Sequence, residues 1–164
     1  MFNIKKDMMK KQVTKTILGL IITVFTFCCV QAQSVSVWDG TSAIWTQGSG
    51  TENDPYLIQS AQNLAWIADM VNSGITTYEG VNFLLNIDLN LGSLSWLPIG
   101  LNETNCFKGH FDGGGHFVDN LYVSSQTYRG LFGYVNNAVI ENVSAKVTIG
   151  SSSYSAGLVG YRSE

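Results

Sequence analysis

Gly130-Leu131-Phe132-Gly133-Tyr134 returns further along the chain as Gly157-Leu158-Val159-Gly160-Tyr161. A polar run precedes each copy, Ser124 to Arg129 in one case and Ser151 to Ser155 in the other. The alternating segments before those runs also match. Phe117-Val118-Asp119-Asn120-Leu121-Tyr122-Val123 aligns with Val139-Ile140-Glu141-Asn142-Val143-Ser144-Ala145, acid over acid and Asn over Asn. The Asn pair is offset by 22 residues and the Gly-Leu pair by 27, which implies a five-residue insertion between Ala145 and Gly157. A short period with a movable loop is the mark of a stacked repeat.

Working outward, the period is two from Phe83 onward. Phe83, Leu85, Ile87, Leu89 and Leu91 are expected to point inward, and Val143, Ala145, Val147 and Ile149 alternate in the same way. Trp96-Leu97-Pro98-Ile99-Gly100 reads as a bend and short strand, and Gly113-Gly114-Gly115 as a tight corner. Upstream, Ser34 to Trp38 and Tyr56-Leu57-Ile58 read as short strands. Between them and Phe83 the period changes. Leu64, Ile67, Ala68 and Val71 lie on one helical face, with Ser60 as N-cap and Gly74 as the stop. One helix is too few for a helical repeat array. The expectation is therefore an all-β solenoid of parallel strands with one N-terminal capping helix. In it Leu131 would lie under Leu158 and Asn120 under Asn142, the Asn side chains passing amide hydrogen bonds between coils. The glycines would serve close approach or positive φ. The helix would cover the first coil, whose edge would otherwise invite pairing.

The first residues read as an address. Lys5, Lys6, Lys10, Lys11 and Lys15 precede an uncharged apolar run, Ile17 to Val30, that is short for a membrane span. Val30-Gln31-Ala32 resembles a signal-peptide cleavage site, so export and cleavage near Ala32 are expected. The rival readings are an uncleaved anchor, disfavoured by the short run, and a lipid on Cys28 or Cys29, disfavoured because Phe27 or Cys28 would then precede the modified Cys, where bacterial lipoprotein signals put a small residue. Cleavage would leave four of nine basic and eleven of twelve acidic residues, a net charge of −7. That balance excludes the clustered Lys and Arg of a nucleic-acid binder. It would also leave Cys106 as the sole cysteine, expected to be a small buried apolar residue. The boundaries are then a leader at 1–32, strands and capping helix at 33–82, and coils with the two repeats at 83–164. The chain stops three residues after Tyr161 with no cap in its sequence, so it is expected to be part of a longer protein whose remaining coils follow.

These residues carry a resemblance. Gly130-Leu131-Phe132-Gly133 and Gly157-Leu158-Val159-Gly160 resemble the GLUG motif of bacterial surface proteins. The segments Gly50-Thr51 to Ile58, Phe83 to Leu89, Trp96 to Gly100 and Phe107 to His116 resemble the usual lead-in to such repeats. The resemblance implies a right-handed parallel β-helix of the pectate-lyase-like kind, exported and surface-associated, with no catalytic residues to carry over. Its repeat-motif residues, all structural, would be Gly130, Leu131, Gly133, Gly157, Leu158, Gly160, Asn120 and Asn142.

Candidate chemistry is sparse. His110, Asp112 and His116 are the most suggestive cluster, but a metal site wants three or four convergent ligands, and a Gly corner explains the same pattern. Asp88, Asp112 and Asp119 are candidate paired carboxylates for glycoside hydrolysis, although scattered acids align by chance. No His-Glu-x-x-His, Gly-x-Ser-x-Gly or Gly-Lys-Ser/Thr occurs. Trp38, Trp45, Trp96, Tyr122, Tyr128 and Tyr154 could stack on sugars, or simply pack at corners. The expectation is a non-catalytic adhesion or presentation scaffold with no cofactor and no metal, whose partners are glycans or proteins of a host or cell surface. The alternative is a polysaccharide-acting β-helix enzyme, either lyase or glycoside hydrolase.

Overall fold

The computed structural model describes residues 35–124, 127–149 and 157–164. The expected leader at 1–32, the start of the first strand at Ser34 and the polar run around Tyr154 lie outside these residues. In chain order the elements are β1 (Tyr56–Ile58), α1 (Ala61–Asn72), β2 (Asn82–Leu85), β3 (Leu89–Asn90), β4 (His110–Asp112), β5 (Phe117–Val123), β6 (Phe132–Asn136), β7 (Val139–Glu141), β8 (Ser144–Ile149) and β9 (Val159–Ser163). They form three sheets, ordered β1-β2-β4-β7, β3-β5-β8 and β6-β9. All strand pairs are parallel.

The helix forms where a face of period 3.6 is bounded by caps at both ends. Ser60 is extended at φ −156°, and its hydroxyl accepts from the Asn63 amide at 3.2 Å. At the other end the Ile75 amide donates to the Met70 carbonyl (3.1 Å) and the Gly74 amide to the Val71 carbonyl (3.0 Å). That is the Schellman pair, and it requires the left-handed φ of +74° that Gly74 supplies. Leu64, Ile67, Ala68 and Val71 are buried. The polar ends of the helix tie it to the surrounding loops: Asn63 Nδ2 donates to the Ala43 carbonyl (2.9 Å), Asn72 Nδ2 donates to the Pro98 carbonyl (3.0 Å), and Asn72 Oδ1 accepts from the Gly100 amide (2.9 Å). The free edge of β1 is closed by the loop before it, where the Leu57 amide donates to the Gln47 carbonyl at 3.1 Å. The edge protection expected of the helix thus comes from extended chain.

Inward residues from the helix and all three sheets share one core. Phe83, Phe107, Phe132 and Phe111 run through it as a chain of ring contacts, with centroids 6.2, 5.2 and 5.3 Å apart. Each ring is almost wholly removed from water, so each contributes on the order of 2–3 kcal/mol of apolar burial.

The right-handed parallel β-helix expected from the repeats is not what the described residues form. No regular solenoid is seen; the architecture is a set of small parallel sheets of four, three and two strands with one short helix. A solenoid requires every turn of chain to add a strand to every sheet. Here the chain leaving β1 enters a helix instead of a strand. The segment between β3 and β4 makes only isolated bridges, Ser95 to Tyr122, Ile99 to Phe132 and Phe107 to Val135. The β5–β8 register also slips between Val118 and Leu121. Among the described residues, no helix is long and apolar enough to cross a membrane.

Candidate functional site

The two Gly-Leu-x-Gly copies lie side by side. Phe132 pairs with Val159 and Tyr134 with Tyr161, an offset of 27 residues, so Leu131 and Leu158 occupy equivalent places before β6 and β9. Leu131 is fully buried and Leu158 half-buried. The Leu131 carbonyl accepts from the Trp96 indole Nε1 at 3.0 Å and from the Ile99 amide at 3.1 Å, which fastens the irregular segment before β4 onto this copy. Gly133 is needed for close approach: a Cβ there would collide with the Gly100 carbonyl. Gly160 meets the backbone of Tyr128 and Arg129 in the same way. Gly130 would meet the Leu158 carbonyl at 2.8 Å, whereas Gly157 has room for a methyl group.

Asn120 and Asn142 are not stacked on one another, as the 22-residue alignment had implied. Asn120 Nδ2 donates to Asn90 Oδ1 at 3.0 Å, and Asn142 Nδ2 donates to Asp112 Oδ1 at 3.0 Å. Both have left-handed backbones, with φ of 54° and 52°. Asn120 sits where the β5–β8 register slips and Asn142 at the corner after β7. Asn recurs because it is the side-chain-bearing residue that best tolerates that conformation, so the match reports a shared backbone need at two different places.

The polar face around the Gly113-Gly114-Gly115 corner distributes its groups among separate partners. On β4, His110 Nε2 lies 2.8 Å from Glu141 Oε1 on neighbouring β7. His116 Nδ1 lies 2.9 Å from Asp88 Oδ1, which also accepts from the Phe117 amide at 3.2 Å. Asp112 Oδ1 accepts from the Gly114 amide at 2.8 Å as well as from Asn142. The Gly114 amide first, and Asn142 second, hold the Asp112 carboxyl below its ordinary value against a smaller opposing effect of burial. His110, Asp112 and His116 therefore do not converge on one point. Among the described residues, no group of three or more His, Cys, Asp or Glu side chains is placed to hold a metal ion. Asp88, Asp112 and Asp119 are likewise dispersed, Asp119 Oδ1 accepting from the amide of Asn120 at 2.8 Å. Glu141, which sequence reasoning treated only as a repeat position, is the acid that the register sets directly beside Asp112. The usable signal was a spacing of about thirty residues between polar partners, seen in Asn90 with Asn120 and Asp112 with Asn142.

The aromatic candidates divide by burial. Trp38 and Trp96 are buried and meet edge to face at 5.4 Å. Trp45 packs on Tyr56 and Phe83, with centroids at 4.8 and 5.3 Å. Tyr128 joins the paired Tyr134 and Tyr161 in a three-ring stack with centroids 4.7 to 5.4 Å apart, and only Tyr161 is well exposed. Tyr122 is half-buried, and Tyr154 lies outside the described residues. Cys106 is buried, and desolvation raises its thiol pKa.

No family model matches the chain. No solved structure matches it. The chain is similar to a protein of Evansella cellulosilytica named "Putative Gly-rich membrane protein", with 32% identity over 118 residues, 66% of this chain. The chain spans only 13% of that relative's length.

Proposed function

We propose that this chain is a non-catalytic module of the bacterial cell envelope, exported and displayed at the surface, where it serves as a scaffold for adhesion or presentation. The observation that carries this reading is the engagement of the candidate chemical groups. His110 is bonded to Glu141, His116 to Asp88, and Asp112 to Gly114 and Asn142, so each acts as a tie between neighbouring segments. The basic and apolar leader at 1–32 supports export. The relative's name, which describes a membrane protein, supports an envelope location for this chain. The paired Gly-Leu-x-Gly copies support a kinship with GLUG-repeat surface proteins.

Labelling intact cells with a membrane-impermeant amine reagent tests display. Lys108, partly exposed, and Lys146, exposed, should react before lysis, and the recovered product should begin near Gln33. Labelling only after lysis would overturn the surface assignment. Incubation with a panel of bacterial and host polysaccharides should release neither new reducing ends nor unsaturated sugars. Release that disappears in Asp112→Asn would replace the scaffold reading with the enzymatic one.

A further inference from the structure

A hollow of about 120 Å³ lies between α1, the chain from Trp38 to Ser42 and the segment Ser95 to Leu97. Its walls are mostly apolar. Ala65 and Ala68, one helical turn apart, are small enough to leave the space, and Trp38, Trp96 and Leu97 enclose it. The two indoles meet edge to face at 5.4 Å. Each is fastened by its own Nε1–H. Trp38 donates to the Thr41 carbonyl at 2.8 Å and Trp96 to the Leu131 carbonyl at 3.0 Å. The rings are therefore held in place, and with their donors spent they offer a ligand only ring surface. The polar lining is Asp69, which follows Ala68 on the helix, with Ser42 and Ser95. Asp69 is exposed, and among the described residues its carboxylate makes no hydrogen bond or ion pair. The Ser95 hydroxyl is shared with Ser124 at 2.9 Å. No Lys or Arg is among the described residues that line the hollow, and a second acid, Asp39, adjoins Gly40 in its lining.

We propose that this hollow is a binding site for a small organic cation, a quaternary ammonium group such as the head of choline. That activity goes beyond the scaffold reading and does not depend on it. Three features select the ligand. Charge is the first: an unpaired carboxylate, with a second acid close by in the chain and no base in the lining, attracts a cation and repels an anion. Size is the second. The hollow is well below the roughly 300–1,000 Å³ of sites for drug-sized ligands, so it admits a headgroup and not an extended molecule. The third is the balance of donors and acceptors. A primary ammonium carries three N–H donors, each of which needs an acceptor, and it is strongly hydrated. A quaternary ammonium has no donor to satisfy. Its methyl groups can bury against the indoles, Ala65, Ala68 and Leu97 while its charge stays beside Asp69. Aromatic walls favour such a cation further.

Titration of the purified full chain with choline chloride, followed by NMR of the indole Nε1–H signals, tests this. Sodium chloride holds the ionic strength constant. The expected result is saturable shifts of the Trp38 and Trp96 signals, while those of Trp45 and Trp66, which do not line the hollow, stay in place. Ethanolamine is the primary-ammonium counterpart of choline, and dimethylbutanol its uncharged carbon analogue. Each should bind about threefold more weakly or worse. Asp69→Asn, at an exposed helix position, should raise the choline Kd about two- to fivefold. Glu52→Gln, at an exposed acid outside the hollow, should leave it unchanged. Circular dichroism checks that both variants fold. Phosphatidylcholine vesicles separate the two sources of the group: binding as tight as that of choline assigns a lipid headgroup, and binding of choline alone a free compound. Absence of saturable shifts overturns the proposal, as does equal binding of ethanolamine or dimethylbutanol, or a Kd indifferent to Asp69→Asn. Any of those results leaves the surface-display reading standing, because amine labelling of Lys108 and Lys146 does not involve the hollow.

Discussion

The two Gly-Leu-x-Gly copies have nearly the same sequence and very different surroundings. The copy at Gly130 to Gly133 has chain on both sides: Ile99, Gly100 and Phe107 lie along one edge of β6, and β9 lies along the other. The copy at Gly157 to Gly160 has β6 on one side and no strand on the other among the described residues. Leu131 and Phe132 are therefore fully buried, whereas Leu158 and Val159 are half-buried. A motif sets the local backbone shape; the free energy it contributes depends on how many neighbours cover it.

The largest expected effect lies in the paired leucines. Leu131→Ala removes a wholly buried side chain between fixed neighbours and should cost about 2–5 kcal/mol. Leu158→Ala, at the equivalent place one layer out, should cost about 1 kcal/mol, since part of that side chain already meets water. Urea melts of both variants measure the difference. Equal losses would show that the outer layer is as well covered as the inner one, and would count against the asymmetry drawn above.

The glycines sharpen the same contrast at smaller magnitude. A methyl group at Gly133 would run into the Gly100 carbonyl, and backbone on both strands would have to move, at a cost of about 1–3 kcal/mol. Gly157→Ala meets only ordinary contacts, the nearest being Val147 at 3.8 Å, and should change stability by no more than about 0.5 kcal/mol. Thermal midpoints of the two single variants distinguish these outcomes. A Gly133→Ala protein as stable as Gly157→Ala would mean that the β6 neighbours yield freely.

The parts of the fold that were legible in the sequence are those set by local chemistry. The helix announced itself through one apolar face and two cap residues, Ser60 and Gly74, and its bounds follow from hydrogen bonds within a few residues of each. The inward positions Phe83, Leu85, Leu89 and Leu91 follow from strict alternation, which any half-buried strand shows. Pairing was harder to read for the same reason. Alternation does not say which strand lies beside which, and a match between Asn120 and Asn142 suggested a 22-residue step. Both residues are Asn because their backbones are left-handed, one at a register slip and one at a corner. The true partners, Asn90 and Asp112, carry no local mark that distinguishes them from other polar residues on outward positions. The expected uniform solenoid failed through the irregular chain between β3 and β4. Its bridges depend on distant contacts of Trp96, Ile99 and Phe107 that no short-range pattern encodes. At the candidate site the Gly corner was legible from composition, but the ties from His110 to Glu141 and from His116 to Asp88 join residues 31 and 28 apart.

The smallest expected effect tests the seam between the well-covered strands and the outer layer. Asp112 belongs to β4, and one of its two hydrogen bonds goes to Asn142, just beyond outer strand β7. Its carboxyl is held below the ordinary value of 3.8, chiefly by the Gly114 amide and next by the Asn142 side chain. A carboxyl whose pKa is lower in the folded chain than in the unfolded one stabilises the fold most above the unfolded value. That contribution disappears as pH falls through the folded value and both states become protonated. Asp112→Asn keeps an acceptor for the Gly114 amide but cannot ionise. The variant should therefore be slightly less stable than the native chain at neutral pH, and the gap should close as pH falls below the ordinary value of 3.8 and through the lower folded one. The effect is small because Asp112 is partly exposed and solvent screens its charge. Asp39, whose carboxyl is also lowered, mainly by the Thr41 hydroxyl, is present in both proteins and cancels in the difference. Urea midpoints of the two proteins, measured from pH 7 down to about 2.5, give the curve directly. Two parallel curves would show that the Asp112 charge does not help hold the outer strands to the inner ones, and that the seam rests on backbone pairing and apolar contact.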